Sequence, residues 1–388
     1  MIYMDHSATT PVDKRVLNFM LPYFGKRYGN ASSLHSLGQE AKKSLEEARE
    51  KVAKVINADP SEIYFTSGGT ESNNFAIKGA AFANKNKGKH VITTKIEHDC
   101  TLNTCRWLEK IGFEVTYLDV DKHGLIDLGD LESSLRDDTI IVSILHANNE
   151  IGTVQEMNEI GKIVKESNAY LHTDAVQSVT KLPVDVKKMN LDMLSISSHK
   201  IFGPKGVGCL YIRKGVKIDP LLHGGGHEGG LRSGTENIAG IVGFGEAIRI
   251  GEEERPKVMP RLQKLRDKII DNVLKIDNAW LNGHPEKRLP INANFSFRFI
   301  EGESLVLLLD SRGIEASTGS ACSSKSLKPS HVLLAIGLKP EDAHGSLRLT
   351  LGKDNTEKDV DYLLEVLPEV ISELRKMSPF KKDYGEFE

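Results

Sequence analysis

The amino-acid sequence predicts an α/β protein: a large domain on a mainly parallel sheet with helices on both faces, then a smaller α+β domain. Three observations lead there. Short apolar runs alternate with helical stretches from about residue 63 to residue 212, the order that parallel strands joined by helical crossovers impose. A chain of 388 residues has room for two domains at roughly 100 to 200 residues each. Near Arg255 the alternation gives way to a charged helix and sparse short strands, which places a large domain at 12–255 and a small one at 1–11 with 256–388.

Residues 1–11 read as an extended arm ending in Ser7-Ala8-Thr9-Thr10-Pro11, and residues 12–24 as a short helix. Leu37, Ala41, Leu45, Ala48, Val52 and Val55 recur at spacings of three and four, one apolar face of a long helix. Ile63-Tyr64-Phe65 precedes Thr66-Ser67-Gly68-Gly69-Thr70 and a helix over 71–83; Val91-Ile92 precedes a helix over 98–108. Strands follow at 114–118, 139–145, 170–173, 191–196 and 207–212. The small domain is expected to hold helices at 258–276, 303–310 and 357–376 and strands at 293–299 and 347–351, with a polar tail at 380–388 expected to fray.

Composition excludes several classes. With 51 basic and 54 acidic side chains the formal charge is −3, which gives no case for a nucleic-acid or membrane-surface partner. No charged-then-apolar leader opens the chain and the apolar run 305–309 is too short to span a bilayer, so a cytoplasmic enzyme is expected. Cys100, Cys105, Cys209 and Cys322 form no Cys-x-x-Cys pair, so neither a structural zinc nor a disulfide framework is indicated.

The chemistry centres on Ser197-Ser198-His199-Lys200-Ile201-Phe202-Gly203-Pro204-Lys205-Gly206, which lies between two strands. A lysine just past a strand, behind hydroxyls and a histidine, suits an amine held still at a cofactor, which makes Lys200 the candidate for a Schiff base with pyridoxal phosphate; a basic surface loop is the alternative. The turn at Ser67-Gly68-Gly69-Thr70 opens a helix, where free N–H groups and the helix dipole favour a phosphate; an ordinary turn with Thr70 as cap is the alternative. Asp174 ends a strand and suits a pyridinium nitrogen, with Gln177 three residues on over the same helical face; a plain helix cap is the competing reading.

His98, at a strand-to-helix junction, suits ring stacking and proton transfer; a satisfied surface histidine is the alternative. Asn149 and Arg348 together suit a substrate carboxylate. Cys322 lies in Ser317-Thr318-Gly319-Ser320-Ala321-Cys322-Ser323-Ser324, a stretch of small residues expected to be mobile, near Lys325 and Lys328 that favour thiolate. Cys209 falls in a strand and Cys100 and Cys105 on a helix. Three patterns mislead: the glycines of 224–229 open no first strand-helix unit, Ser197 and Lys200 lack the other penicillin-enzyme motifs, and His223 and His227 are separated by helix-breaking glycines.

Taken together, Asp5-His6-Ser7-Ala8-Thr9-Thr10-Pro11-Val12, Thr66-Ser67-Gly68-Gly69-Thr70-Glu71-Ser72, residues 148–152, 198–206, 224–228, 232–235 and 319–323 resemble the pyridoxal-phosphate cysteine desulfurases of the NifS/IscS type, which are class V aminotransferase-like. The resemblance spans residues 3–379, with the cysteine loop spelled as in the IscS/NifS branch rather than the SufS branch. Two positions depart from it: Gly69 where alanine is usual, and His6 where asparagine or tyrosine is common.

The resemblance implies a fold type I enzyme with a seven-stranded sheet. It implies that Lys200 binds the coenzyme and moves the Cα proton, that Asp174 meets the ring nitrogen and Gln177 the ring oxygen, and that His98 stacks on the ring. Gly69, Thr70, Ser197 and His199 would bind phosphate, joined by Thr235 from the second subunit of a homodimer. Asn149 and Arg348 would hold the L-cysteine carboxylate. Cys322 would take the sulfur as a persulfide, leaving L-alanine, and pass it to an IscU-type scaffold for iron-sulfur cluster assembly, where Cys322 would also serve as a transient cluster ligand. Two rivals are an aminotransferase or selenocysteine lyase of the same fold, and a non-catalytic sulfur-assembly partner.

Overall fold

The computed structural model describes residues 1–318 and 329–378. Strand β1 (Ile2–Tyr3) opens the chain, and seven strands follow: β2 (Ile63–Thr66), β3 (His90–Thr94), β4 (Glu114–Leu118), β5 (Thr139–Ser143), β6 (Tyr170–Asp174), β7 (Met193–Ser197) and β8 (Gly208–Ile212). They form one sheet in the order β2-β8-β7-β6-β5-β3-β4. Only β8 runs against its neighbours, pairing antiparallel with both β2 and β7. Strands β3, β5, β7 and β8 are buried at every position and β6 at its three central ones, as a sheet covered on both faces requires.

Helices on one face pack a large apolar core. The helix Ser36–Ile56 buries Ala41, Leu45, Ala48 and Val52 and ends at Asn57, whose left-handed φ of 59° lets its N–H reach back to the last carbonyls. Burial of Leu45 and Val52 contributes about 1.5–3 kcal/mol each.

The pattern change near Arg255 has a different cause from the one the sequence suggests. No separate helix begins at 258: a single helix, Ile238–Val273, runs through 36 residues with Pro256 and Pro260 inside it. Its buried face changes partner along its length. Ile241, Phe244, Ala247, Ile248 and Ile250 join the large core. Leu262, Leu265, Ile269 and Val273 join a second core built on β9 (Ala279–Asn282), β10 (Asn292–Phe297), β11 (Ile314–Glu315) and β12 (Ser346–Thr350). The antiparallel order there is β12-β10-β9, while β1 pairs with β11 and buries Met4 in the same core. Helices Gly302–Ser311 and Glu357–Met377 cover this sheet. Strands β1, β9 and β11 are two to four residues long, too short to show a period in the sequence.

Among the described residues, no helix is long and apolar enough to cross a membrane.

Candidate active site

Because β2, β3, β5, β6 and β7 all point the same way, their carboxyl ends meet at one edge of the sheet, where open α/β sheets place their ligands. Lys200 sits there in the single turn Ser198–Lys200 that follows β7. Its Nζ donates to the carbonyls of Ser7 and Ala8, the latter at 2.6 Å, so the N-terminal arm closes over the amine. Thr10 fastens the arm: its Oγ1 donates to the His199 carbonyl at 2.9 Å and accepts from the Phe202 N–H at 2.8 Å.

Asp174 ends β6. Its Oδ1 accepts from the Val176 N–H at 2.9 Å and its Oδ2 from Asn73 Nδ2 at 2.6 Å. Gln177 differs from expectation, since residues 176–178 form a turn and no helical face connects it to Asp174. It still enters the site, because its Nε2 donates to the Ser7 carbonyl at 3.0 Å.

His98 caps the helix Asp99–Lys110, its Nδ1 accepting from the Cys100 N–H at 3.2 Å. Beside it Glu97 is fully buried, and burial pushes its carboxyl up to about 8, so it is mostly neutral at neutral pH.

The glycine turn opens the helix Gly69–Asn84, whose N-cap is Gly68 rather than Thr70. Gly68 has φ 152°, and a Cβ on Gly69 would stand 2.9 Å from Val176 Cγ2. The turn therefore presents bare backbone toward Ser197, which lies 3.6 Å from that same point. Thr70 is exposed beside it. His199 bonds Thr9 Oγ1 through Nδ1 at 3.1 Å; burial, then the charge of Lys200, pull its pKa down to about 4 and keep the ring neutral. Thr235 is exposed, three residues beyond Arg232, whose Nε bonds Glu71 in the first turn of the same helix at 2.9 Å.

Arg348 and Asn149 are brought together: the buried guanidinium donates to the Asn149 carbonyl at 3.2 Å and to Asp5 Oδ1 at 2.8 Å. Cys322, Lys325 and Lys328 lie outside the described residues, as do the rest of the small-residue stretch from Gly319 and the polar tail. Their described flanks reach into the site. Ser317 exchanges backbone hydrogen bonds with Arg348, Ser330 Oγ donates to Glu150 Oε2, and His331 Nε2 pairs with the Glu97 carbonyl at 2.9 Å.

Sequence reasoning missed Asp5, Asn73, Cys100 and Lys181 as parts of this site. Lys181 is buried with its Nζ 3.3 Å from the Lys200 carbonyl, and burial, then the Lys200 charge, bring its pKa down to about 7. Nothing local marks these residues; only Asp5 falls in a motif at all. His6, the departure at the N-terminus, is buried with Nδ1 on the Thr350 carbonyl at 3.0 Å and packs where Gly352 leaves no room for a Cβ.

The residues present fit pyridoxal phosphate on three counts. Ser7 Oγ, Gln177 Oε1, Asn73 Oδ1 and Arg348 Nε are buried without a hydrogen-bond partner among the described residues, all on side chains within this cluster. A glycine-backed helix N-terminus suits a phosphate. An amine and a carboxylate at adjoining strand ends suit an aldehyde and a pyridine nitrogen.

That combination defines a pyridoxal-phosphate enzyme of the α/β class. Residues 2–363 match the family model described as Aminotransferase class-V. The cysteine desulfurase IscS of Methanosarcina thermophila is 57% identical over 384 residues, covering 99% of this chain and 95% of the relative. That of Dictyoglomus turgidum is 55% identical over 384 residues, covering 99% and 98%. A solved "NifS-like protein" has a TM-score of 0.91 at 43% identity, covering 96% of this chain and 99% of the other. The structure named "SspA in complex with cysteine" has a TM-score of 0.82 at 41% identity, covering 92% and 100%. The chain belongs to the aminotransferase class-V family, as a cysteine desulfurase of the NifS/IscS type.

Proposed function

We propose that this pyridoxal-phosphate-dependent cysteine desulfurase takes sulfur from L-cysteine onto Cys322, releases L-alanine, and donates the sulfur for iron-sulfur cluster assembly. The observation that supports it most is the convergence of Lys200, Asp174, His98 and Gln177 on one sheet edge from the ends of three strands, β7, β6 and β3, with a phosphate-suited helix start beside them. When bound, the coenzyme supplies an electron sink that labilises the substrate Cα–H bond.

Each side chain then has a defined task. Lys200 Nζ anchors the coenzyme and carries the Cα proton. Asp174 pairs with the ring nitrogen, Gln177 binds the ring oxygen, and His98 covers the ring face and assists proton movement. Gly69, Thr70, Ser197 and His199 bind the phosphate. Arg348 forks onto the substrate carboxylate with Asn149, which requires its present partner Asp5 to yield part of its hold. Cys322 thiolate attacks the substrate sulfur: the new S–S bond leaves a persulfide on Cys322 as the C–S bond breaks, and the carbon skeleton departs as alanine after reprotonation. The anchoring of Ser317 on Arg348 and of His331 beside His98 supports delivery of Cys322 to this pocket.

The wider assignments follow from the same reading. Residues 12–255 form the coenzyme domain, and residues 1–11 with 256–388 the small domain; the change of core along the helix Ile238–Val273 supports the division. A homodimer supplies the partner copy of Thr235 to the phosphate. Leu17, Phe19, Leu21, Phe24, Tyr28 and Leu34, large apolar side chains exposed along one stretch, support such a face. An IscU-type scaffold in the cytoplasm accepts the sulfur, with Cys322 as a transient iron-sulfur ligand.

The test is purified protein incubated with L-cysteine and reductant, with sulfide and alanine measured. Wild type should release both in equal amounts, Lys200→Ala neither, and Cys322→Ser should form no persulfide. Full sulfide release by Cys322→Ser would overturn the assignment of the nucleophile.

A further inference from the structure

Asn73 and Cys100 take no part in the chemistry above, yet they occupy the space between two residues that do. Asn73 is fully buried. Its Nδ2 carries two hydrogens and has two acceptors: Asp174 Oδ2 at 2.6 Å and Cys100 Sγ at 3.2 Å. The opposite amide orientation would turn Oδ1 onto a carboxylate oxygen, so the amide can stand only one way. Cys100 Sγ in turn lies 3.1 Å from His98 Nδ1. That nitrogen already accepts from the Cys100 N–H, which makes it the unprotonated ring nitrogen, and leaves the thiol to donate to it. Donation therefore runs from Asn73 to the thiol and from the thiol to the imidazole, while the other Asn73 hydrogen holds the carboxylate.

We infer that Asn73 and Cys100 are positioning residues that join Asp174 and His98 into one hydrogen-bonded unit, fixing together the two groups that contact the coenzyme ring. The inference rests on the roles given above to Asp174 and His98. The physical reason for such a unit is that both groups must hold their angle to the same ring, one at its nitrogen and one over its face. A shared amide and thiol make a displacement of either carry to the other. With His98 Nδ1 occupied by two donors, the ring proton resides on Nε2.

The test uses the holoenzyme with Cys100→Ala, Cys100→Ser, Asn73→Ala and the Asn73→Ala/Cys100→Ala double variant, beside His98→Gln and Asp174→Asn. Three readouts serve: steady-state kinetics with L-cysteine, the visible circular dichroism of the bound coenzyme, and the nitrogen-15 resonance of His98 Nδ1. Loss of one hydrogen bond predicts a fall of about three- to tenfold in kcat for Cys100→Ala, with KM changed less than about twofold. The Nδ1 resonance should move toward that of a singly bonded acceptor, and Cys100→Ser, which keeps a donor and an acceptor, should recover most of both changes. Asn73→Ala should weaken the coenzyme dichroism, and the double variant should be no worse than Asn73→Ala alone.

A wild-type resonance and kcat in Cys100→Ala, a serine variant as impaired as the alanine, or multiplicative losses in the double variant would each overturn the inference. The two reference variants separate the levels. If His98→Gln and Asp174→Asn also turn over normally, the roles assigned to those residues fail; if they are crippled while Cys100→Ala is silent, only the bridge fails.

Discussion

Replacing Glu228 by glutamine tests how the segment that carries Thr235 is held. Glu228 and Arg49 are each 8% exposed, and their forked pair has both N–O distances at 2.8 Å. Glu228 Oε2 also accepts from the Phe65 N–H at 2.8 Å, so one carboxylate ties residues 224–236 to β2 just ahead of the phosphate-suited turn. Burial opposes the Arg49 charge, but the hydrogen bonds and charge of Glu228 more than offset it and hold its pKa above the ordinary value. Glu228 also adopts a left-handed φ of 48°, a strained conformation for a side-chain-bearing residue that only strong contacts would maintain.

An amide in place of the carboxylate removes the buried counter-charge of the guanidinium and leaves it only the solvent-exposed Glu46, 3.1 Å from Nε. Breaking a buried pair from one side costs about 3–5 kcal/mol, so Glu228→Gln should lower unfolding stability by that amount in urea titrations at fixed protein and coenzyme concentration. Coenzyme retention should fall with it. Arg49→Met together with Glu228→Leu removes both charges and should recover most of the loss. A cost below about 1 kcal/mol for Glu228→Gln, or a double variant worse than the single, would refute the reasoning.

Two further outcomes are expected. Burial raises the Glu97 carboxyl from an ordinary 4.5 to about 8, so the folded state binds more protons than the unfolded between those values. Its stabilisation is full below pH 4.5 and is lost as pH rises through 8; Glu97→Gln, which keeps an acceptor for Thr94 and Leu145, should flatten that loss by a few kcal/mol in denaturation at pH 5 and pH 8, and an unchanged slope would count against a buried neutral acid. Gly69→Ala introduces a Cβ 2.9 Å from Val176 Cγ2, an overpacking cost of about 1–3 kcal/mol against a helix gain of about 0.5–1. Coenzyme titration should show weaker binding that Val176→Ala restores in the same chain; equal binding in both would mean the turn yields freely.

Much of the scaffold was legible because its signals are local. Strand-helix alternation located the strands of the large sheet, and the bounds 114–118 match β4 to the residue. The antiparallel course of β8 was not legible, since a buried strand reads alike in either direction. Nor was the continuity of Ile238–Val273, because Pro256 and Pro260 look like a break in sequence while packing against two cores keeps the helix whole.

For the site, the sequence by itself determined the reactive identities. An amine after a strand, a carboxylate at the next strand end, a bare glycine turn and a thiol among small residues can be recognised wherever they stand, because their chemistry resides in the residue type and its immediate neighbours. Tertiary structure alone decided how they are held. Ser7 and Ala8 reach Lys200 from more than 190 positions away, Asn73 spans Asp174 and Cys100, and Glu97 is neutral only because the fold strips it of water. Contacts of that kind depend on which strands the crossovers bring side by side, and desolvation depends on the whole packed interior, so neither leaves a mark at any one position of the chain.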